Sequence, residues 1–131
     1  VCIGGLAREA WLVQPSVGYT LIERACMPII RTAAGIVTQI NTFTVPDGGQ
    51  QALIDLLSEA AQFASATPGW VSASLHRSHD GSRVVNYAQS DGIDSALLVI
   101  KHLRDAGFLD RNSSLGEAHP GLYDVVFTLE R

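Results

Sequence analysis

Two asparagines stand where strands seldom hold them: Asn41 in the middle of TQINTFTV and Asn86 in the middle of RVVNYAQ. A carboxamide competes with the ladder for backbone hydrogen bonds, so asparagine is depleted from strands. Buried there, each amide must find partners. A single such residue is explained by a bond to neighbouring backbone. Two of them, in strands that can lie side by side, point to a polar site within an apolar pocket. A carboxamide also donates to a developing oxyanion without carrying charge, which suits chemistry on a neutral aromatic substrate.

Other chemistries find less support. The histidines are His76, His79, His102 and His119. His76 and His79 are three apart across a strand end, which does not place them on one face, and no carboxylate or thiolate joins them at ligand spacing, so no metal site is expected. His76 is a candidate for lining a cavity, although a structural role explains it equally well. His102 lies by the Ile100–Leu103 stripe and reads as a partly buried structural histidine. No nucleophile elbow, phosphate loop or dinucleotide fingerprint occurs.

The elements that must position these residues lie after Met27, the only methionine. Residues 36–45 are rich in β-branched side chains and end at Pro46-Asp47-Gly48-Gly49, a strand followed by a break. Residues 50–64 repeat apolar side chains at helical spacing, with Asp47 and Gln50 as a capping box. Thr67-Pro68-Gly69 stops that helix. Residues 70–77 and 83–89 read as strands joined around Asp80-Gly81, a hairpin signal. A second helix spans 93–106, with Gly107 as its stop. An irregular polar stretch runs to Gly116, and residues 122–129 (LYDVVFTL) supply the last strand.

The order is β-α-β-β-α-β, an α+β, ferredoxin-like unit with a four-stranded antiparallel sheet. Both faces of the first and last strands are apolar on this reading, and helices can cover only one of them. The second cover is expected to be another copy of the chain, making a homodimer of the dimeric α/β-barrel type.

The 131 residues suit one domain, 47% hydrophobic and 17% charged. With 9 basic against 13 acidic side chains and a net charge of −4, neither nucleic acid nor an anionic membrane surface is the expected partner. No apolar run approaches the ~20 residues of a membrane span. Residues 1–26 keep no sustained period and lack the layout of a secretory signal. Glu23-Arg24 can be encoded by a purine-rich ribosome-binding sequence two codons before Met27. The expectation is therefore an irregular extension over 1–26 that precedes the true start, and a working domain over 27–131. Cys2 and Cys26 support neither a disulfide framework nor a metal box, so a reduced, cytoplasmic setting is expected.

From Met27 to Glu130 the chain resembles the antibiotic biosynthesis monooxygenase family, in particular its cofactor-independent oxygenases that convert polyketide anthrones into quinones. QINTFTVPDG, PGWVSASLHRS, DGSRVVNYAQ and HPGLYDVVF carry the resemblance. It implies a small aromatic polyketide substrate and O2, no cofactor, and Asn41 and Asn86 as the catalytic pair. It also places Ser90 where the family commonly has a tryptophan (NYAQS for NYAQW), and Trp70 where another aromatic is usual. Ser90, Trp70, His76 and His102 are then the candidates for substrate contact. The alternatives are a non-catalytic or cyclase-type protein binding a polyketide intermediate, or a haem-degrading relative using Asn41 and His102.

Overall fold

The computed structural model describes residues 27–131 in full, and before them only the backbone of two short strands, β1 (Trp11–Val13) and β2 (Thr20–Ile22), which pair antiparallel. Within the extension expected to be irregular, these two strands are the described elements. Cys2, Cys26 and the remainder of 1–26 lie outside the described residues.

Four strands form the main sheet: β3 (Val37–Thr44), β4 (Trp70–Arg77), β5 (Arg83–Ser90) and β6 (Glu117–Tyr123). They lie in the order β4-β5-β3-β6, and all neighbours are antiparallel. Helices α1 (Gln50–Ala64), α2 (Ile93–Asp105) and α3 (Phe108–Ser113) pack against one face. This is the ferredoxin-like α+β arrangement read from the sequence, with boundaries of β3, α1, β4, β5 and α2 within one residue.

Two elements differ. α3 falls in the stretch read as irregular. Its Phe108 ring tilts against Phe63 of α1 at a centroid distance of 5.3 Å, under the Arg111 guanidinium. The last strand also begins earlier than expected. After α3 the chain passes so close to β3 that a Cβ on Gly116 would stand 3.0 Å from the Thr44 carbonyl oxygen. Pairing therefore starts at once, Glu117 opposite Thr44, and reaches Tyr123 opposite Thr38. There β3 is nearly exhausted, so residues 124–131 have no strand to pair with. Val126, Phe127 and Leu129 of LYDVVFTL are 93%, 77% and 86% exposed.

The capping box is also corrected. α1 starts at Gln50 itself, Gly49 is its N-cap, and no side chain caps it. The Gln50 amide instead donates to the Ser78 and Arg83 carbonyl oxygens at 3.0 and 2.9 Å, latching the helix start to the β4–β5 hairpin. Gly107, at φ +83°, ends α2 as expected.

The core fills the hairpin end of the sheet, where Phe43, Val45 and Val84 meet Leu53 and Leu57 of α1. Burying a leucine such as Leu53 or Leu57 contributes about 1.5–3 kcal/mol. The second face is mixed rather than apolar: strand alternation places Ile40, Val85, Tyr87 and Tyr123 there among Thr38, Ser74, His76 and His119. The segment before β3 is tied to this face by the fully buried Gln89. Its amide accepts from the Arg31 backbone N–H at 2.8 Å and donates to the Arg31 carbonyl at 3.1 Å and Thr38 Oγ1 at 3.0 Å.

Candidate active site

Asn41 and Asn86 are direct partners across the β3–β5 ladder. Each is two residues from a core side chain, Phe43 or Val84, and so faces the helices with it. Both Oδ1 atoms are buried and accept no hydrogen bond. An orphaned buried acceptor costs about 1–3 kcal/mol, so this is an arrangement that stability alone does not favour.

The two amides line a narrow cleft between sheet and helices, with a cavity of about 40 Å³. The space exists because small side chains meet there. Ala73 and Ala88 on the sheet face Ala60, Ala61 and Ala64 of α1, and Val99, Leu103 and Leu109 close the sides. Gln39, Asn112 and Trp70 complete the lining. None of these residues ionises. The nearest charges on α3 are turned outward, as in the 3.5 Å pair of Arg111 with Glu59.

The six residues expected from sequence are distributed as follows. Asn41, Asn86 and Trp70 come together in the cleft. Ser90 lies on the same face of β5 as Asn86, buried and directly opposite Trp70, but does not line the cleft. His76 is on the other side of the sheet, exposed, with Nε2 2.8 Å from Ser74 Oγ and near Tyr87, Ile29 and Ile30. His102 Nδ1 is 3.0 Å from Thr67 Oγ1, a hydrogen bond from α2 to the turn between α1 and β4, while the next residue, Leu103, reaches the cleft. Among the described residues no three histidine, cysteine or acidic side chains are grouped to hold a metal ion, and no helix is long and apolar enough to cross a membrane.

Sequence reasoning missed Gln39 and Asn112. Gln39 is two residues before Asn41, so strand alternation already carried it. Asn112 is one helical turn after Phe108, and both are 6% exposed on the inward face of α3. Its Oδ1 too is buried without a partner.

No protein-family model matches the chain. Tetracenomycin-F1 monooxygenase of Streptomyces glaucescens is 39% identical over 64 residues, 48% of this chain, and the chain spans 57% of that relative's length. The solved structure of SnoaB, a cofactor-independent oxygenase from Streptomyces nogalater, superposes with a TM-score of 0.68 at 24% identity, covering 75% of this chain and all of that one. ActVA-Orf6, a monooxygenase of Streptomyces coelicolor solved with nanaomycin D, gives 0.65 at 28% identity over 74% of this chain and 92% of its own. The likeness to SnoaB is one of fold. The 39% and 28% identities relate this ferredoxin-like chain in sequence to two monooxygenases.

Proposed function

We propose that residues 27–131 form a cofactor-independent monooxygenase that oxidises a phenolic polycyclic aromatic of the anthrone type to its quinone. The observation that carries this reading is the directly paired Asn41 and Asn86, their oxygens unpartnered in a cleft without ionisable side chains. Such a cleft provides no base of its own, so the acidity must come from the substrate. An anthrone is acidic enough: it loses its methylene proton to water at the mouth, and the charge settles on the ring oxygen as an enolate. Carboxamide N–H groups of Asn41 and Asn86 hold that oxygen, and their carbonyl oxygens accept from neighbouring phenols.

The enolate passes one electron to O2, and the resulting radical and superoxide combine at the former methylene carbon. Protonation of the peroxide, then loss of the remaining C–H proton and cleavage of O–O, releases water. The quinone keeps one oxygen atom, and one anthrone and one O2 give one quinone and one water. The protein's part is to hold the ring flat, exclude water and stabilise the enolate. Trp70 supplies an aromatic wall to the same cleft.

Oxygen uptake with dithranol or emodin anthrone, with no cofactor added, tests this reading. Uptake above the spontaneous rate is expected. Binding of emodin without excess uptake would favour the second reading, a polyketide-binding or cyclase protein, to which Ser90 in the family's tryptophan position lends support.

The reading includes a homodimer in the cytoplasm. An eight-residue tail with three side chains at least 77% exposed is supported as a subunit contact by its apolar content. Light scattering should report a dimer, and deletion of residues 124–131 a monomer.

A further inference from the structure

We propose that Asn112 is a third ligand-binding carboxamide, so that the cleft selects flat, neutral ligands bearing hydroxyl groups at two or more positions. This rests on the reading above and narrows its substrate class. Asn112 is 6% exposed, its Oδ1 lacks any hydrogen-bond donor, and it lines the cleft beside Leu103 and Leu109. A structural role would show as a bond from the side chain to backbone. What the chain shows is that the Asn112 backbone carbonyl closes the end of α3, accepting from Leu115 and Gly116, while the side-chain oxygen accepts nothing. Phe108, one turn earlier on the same face, meets Leu56 and Ala60 in an apolar cluster. The polar residue is therefore placed, three residues after Leu109, where α3 reaches the cleft.

The geometry also counts the donors a ligand must bring. Asn41 and Asn86, adjacent on the sheet, can share one substituent. Asn112 comes from a different element and needs another. With no charged side chain in the lining, a carboxylate or phosphate on the ligand would be buried without a counter-charge, at a large cost. Phenolic hydroxyls satisfy all three carboxamides at no such cost.

The test compares 1,8-dihydroxyanthraquinone with 1-hydroxyanthraquinone, using quenching of tryptophan fluorescence in the full chain. The wild type should bind the dihydroxy compound about 10-fold more tightly, the equivalent of one satisfied buried hydrogen bond. Asn112→Leu should remove that preference by weakening the dihydroxy compound alone, with the melting temperature unchanged or raised. Asn112→Ala, too small to clash, should do the same. An unchanged preference in either variant overturns the proposal, as does a fall in melting temperature with equal loss of both ligands. Oxygen uptake with dithranol separates the two readings. Without uptake, an Asn112-dependent preference leaves this inference standing and the oxygenase reading fallen. With uptake, a KM unaltered in Asn112→Leu does the reverse.

Discussion

Trp70 stands directly across the β4–β5 ladder from Ser90, and its side chain reaches the cleft that Ser90 does not. The serine is buried, only 6% exposed. A large ring at one of these two paired positions leaves space for only a small side chain at the other. On β4, Trp70 gives the cleft an aromatic wall.

Introducing the tryptophan at position 90 therefore should not improve the protein. Ser90→Trp in the presence of Trp70 overpacks a closed site, and the expected loss is about 1–3 kcal/mol or more in urea unfolding. Ser90→Trp combined with Trp70→Ala should recover most of that loss and retain oxygen uptake. Equal stability of single and double variants would show that the two sites do not compete for one space.

Asn41 and Asn86 should trade stability against activity. Asn86→Ala or Asn41→Ala is expected to lower the dithranol oxidation rate about 100-fold or more, the scale of losing one oxyanion donor. Asn86→Leu should unfold at an equal or higher temperature than the wild type, because it removes an orphaned acceptor. Calorimetry beside the uptake assay measures both. Undiminished turnover in the alanine variants would remove these residues from the site.

The turn before β4 has no tolerance for a methyl group. Gly69 has φ +87°, and a Cβ there would stand 2.1 Å from Ser95 Oγ and 2.5 Å from Asp91 Oδ1. Its carbonyl also accepts from the Asp91 N–H at 2.8 Å, joining the starts of β4 and α2. Gly69→Ala is expected to cost about 1–3 kcal/mol of backbone strain, read as a lower urea midpoint at unchanged slope.

The β4–β5 hairpin carries an acid-sensitive lock. Asp80 Oδ1 accepts from Ser82 Oγ at 2.7 Å, the Ser82 N–H at 3.0 Å and Ser78 Oγ at 2.8 Å, and these bonds bring its carboxyl pKa down to about 2. Its folded value lies below the ~3.9 of an unfolded chain, so the stabilisation is complete above about pH 4 and disappears as the pH falls to about 2. Asp80→Asn should be less stable than the wild type at pH 7, with the two converging between pH 4 and 2. A gap that persists at pH 2 would mean that the charge is not what the serines recognise.

Much of this was legible in the chain. Helical spacing placed α1 and α2, and the hairpin signal at Asp80-Gly81 placed β4 and β5, because local pattern and packing agree there. Asn41 and Asn86 stood out because a carboxamide is anomalous in a strand. Asn112 did not: in RNSSLG it is one polar residue among several, and only the docking of Phe108 turns it inward. The last strand was misjudged for a related reason. LYDVVFTL has higher strand propensity than EAHPGLY, but pairing is decided by the close approach of Gly116 to Thr44. An edge position then admits Pro120, whose missing N–H is not needed there.

The five alanines around the cleft act as a gauge. Ala60, Ala61, Ala64, Ala73 and Ala88 set its dimensions by what they lack, while the carboxamides supply its hydrogen-bonding groups. Size and polarity are consequently carried by separate sets of residues. Exchange of one methyl for an isopropyl group would shorten the accepted ring system without disturbing a hydrogen bond. Under the proposed function, a scaffold divided in this way would change its substrate by single steps, each leaving the carboxamides in place.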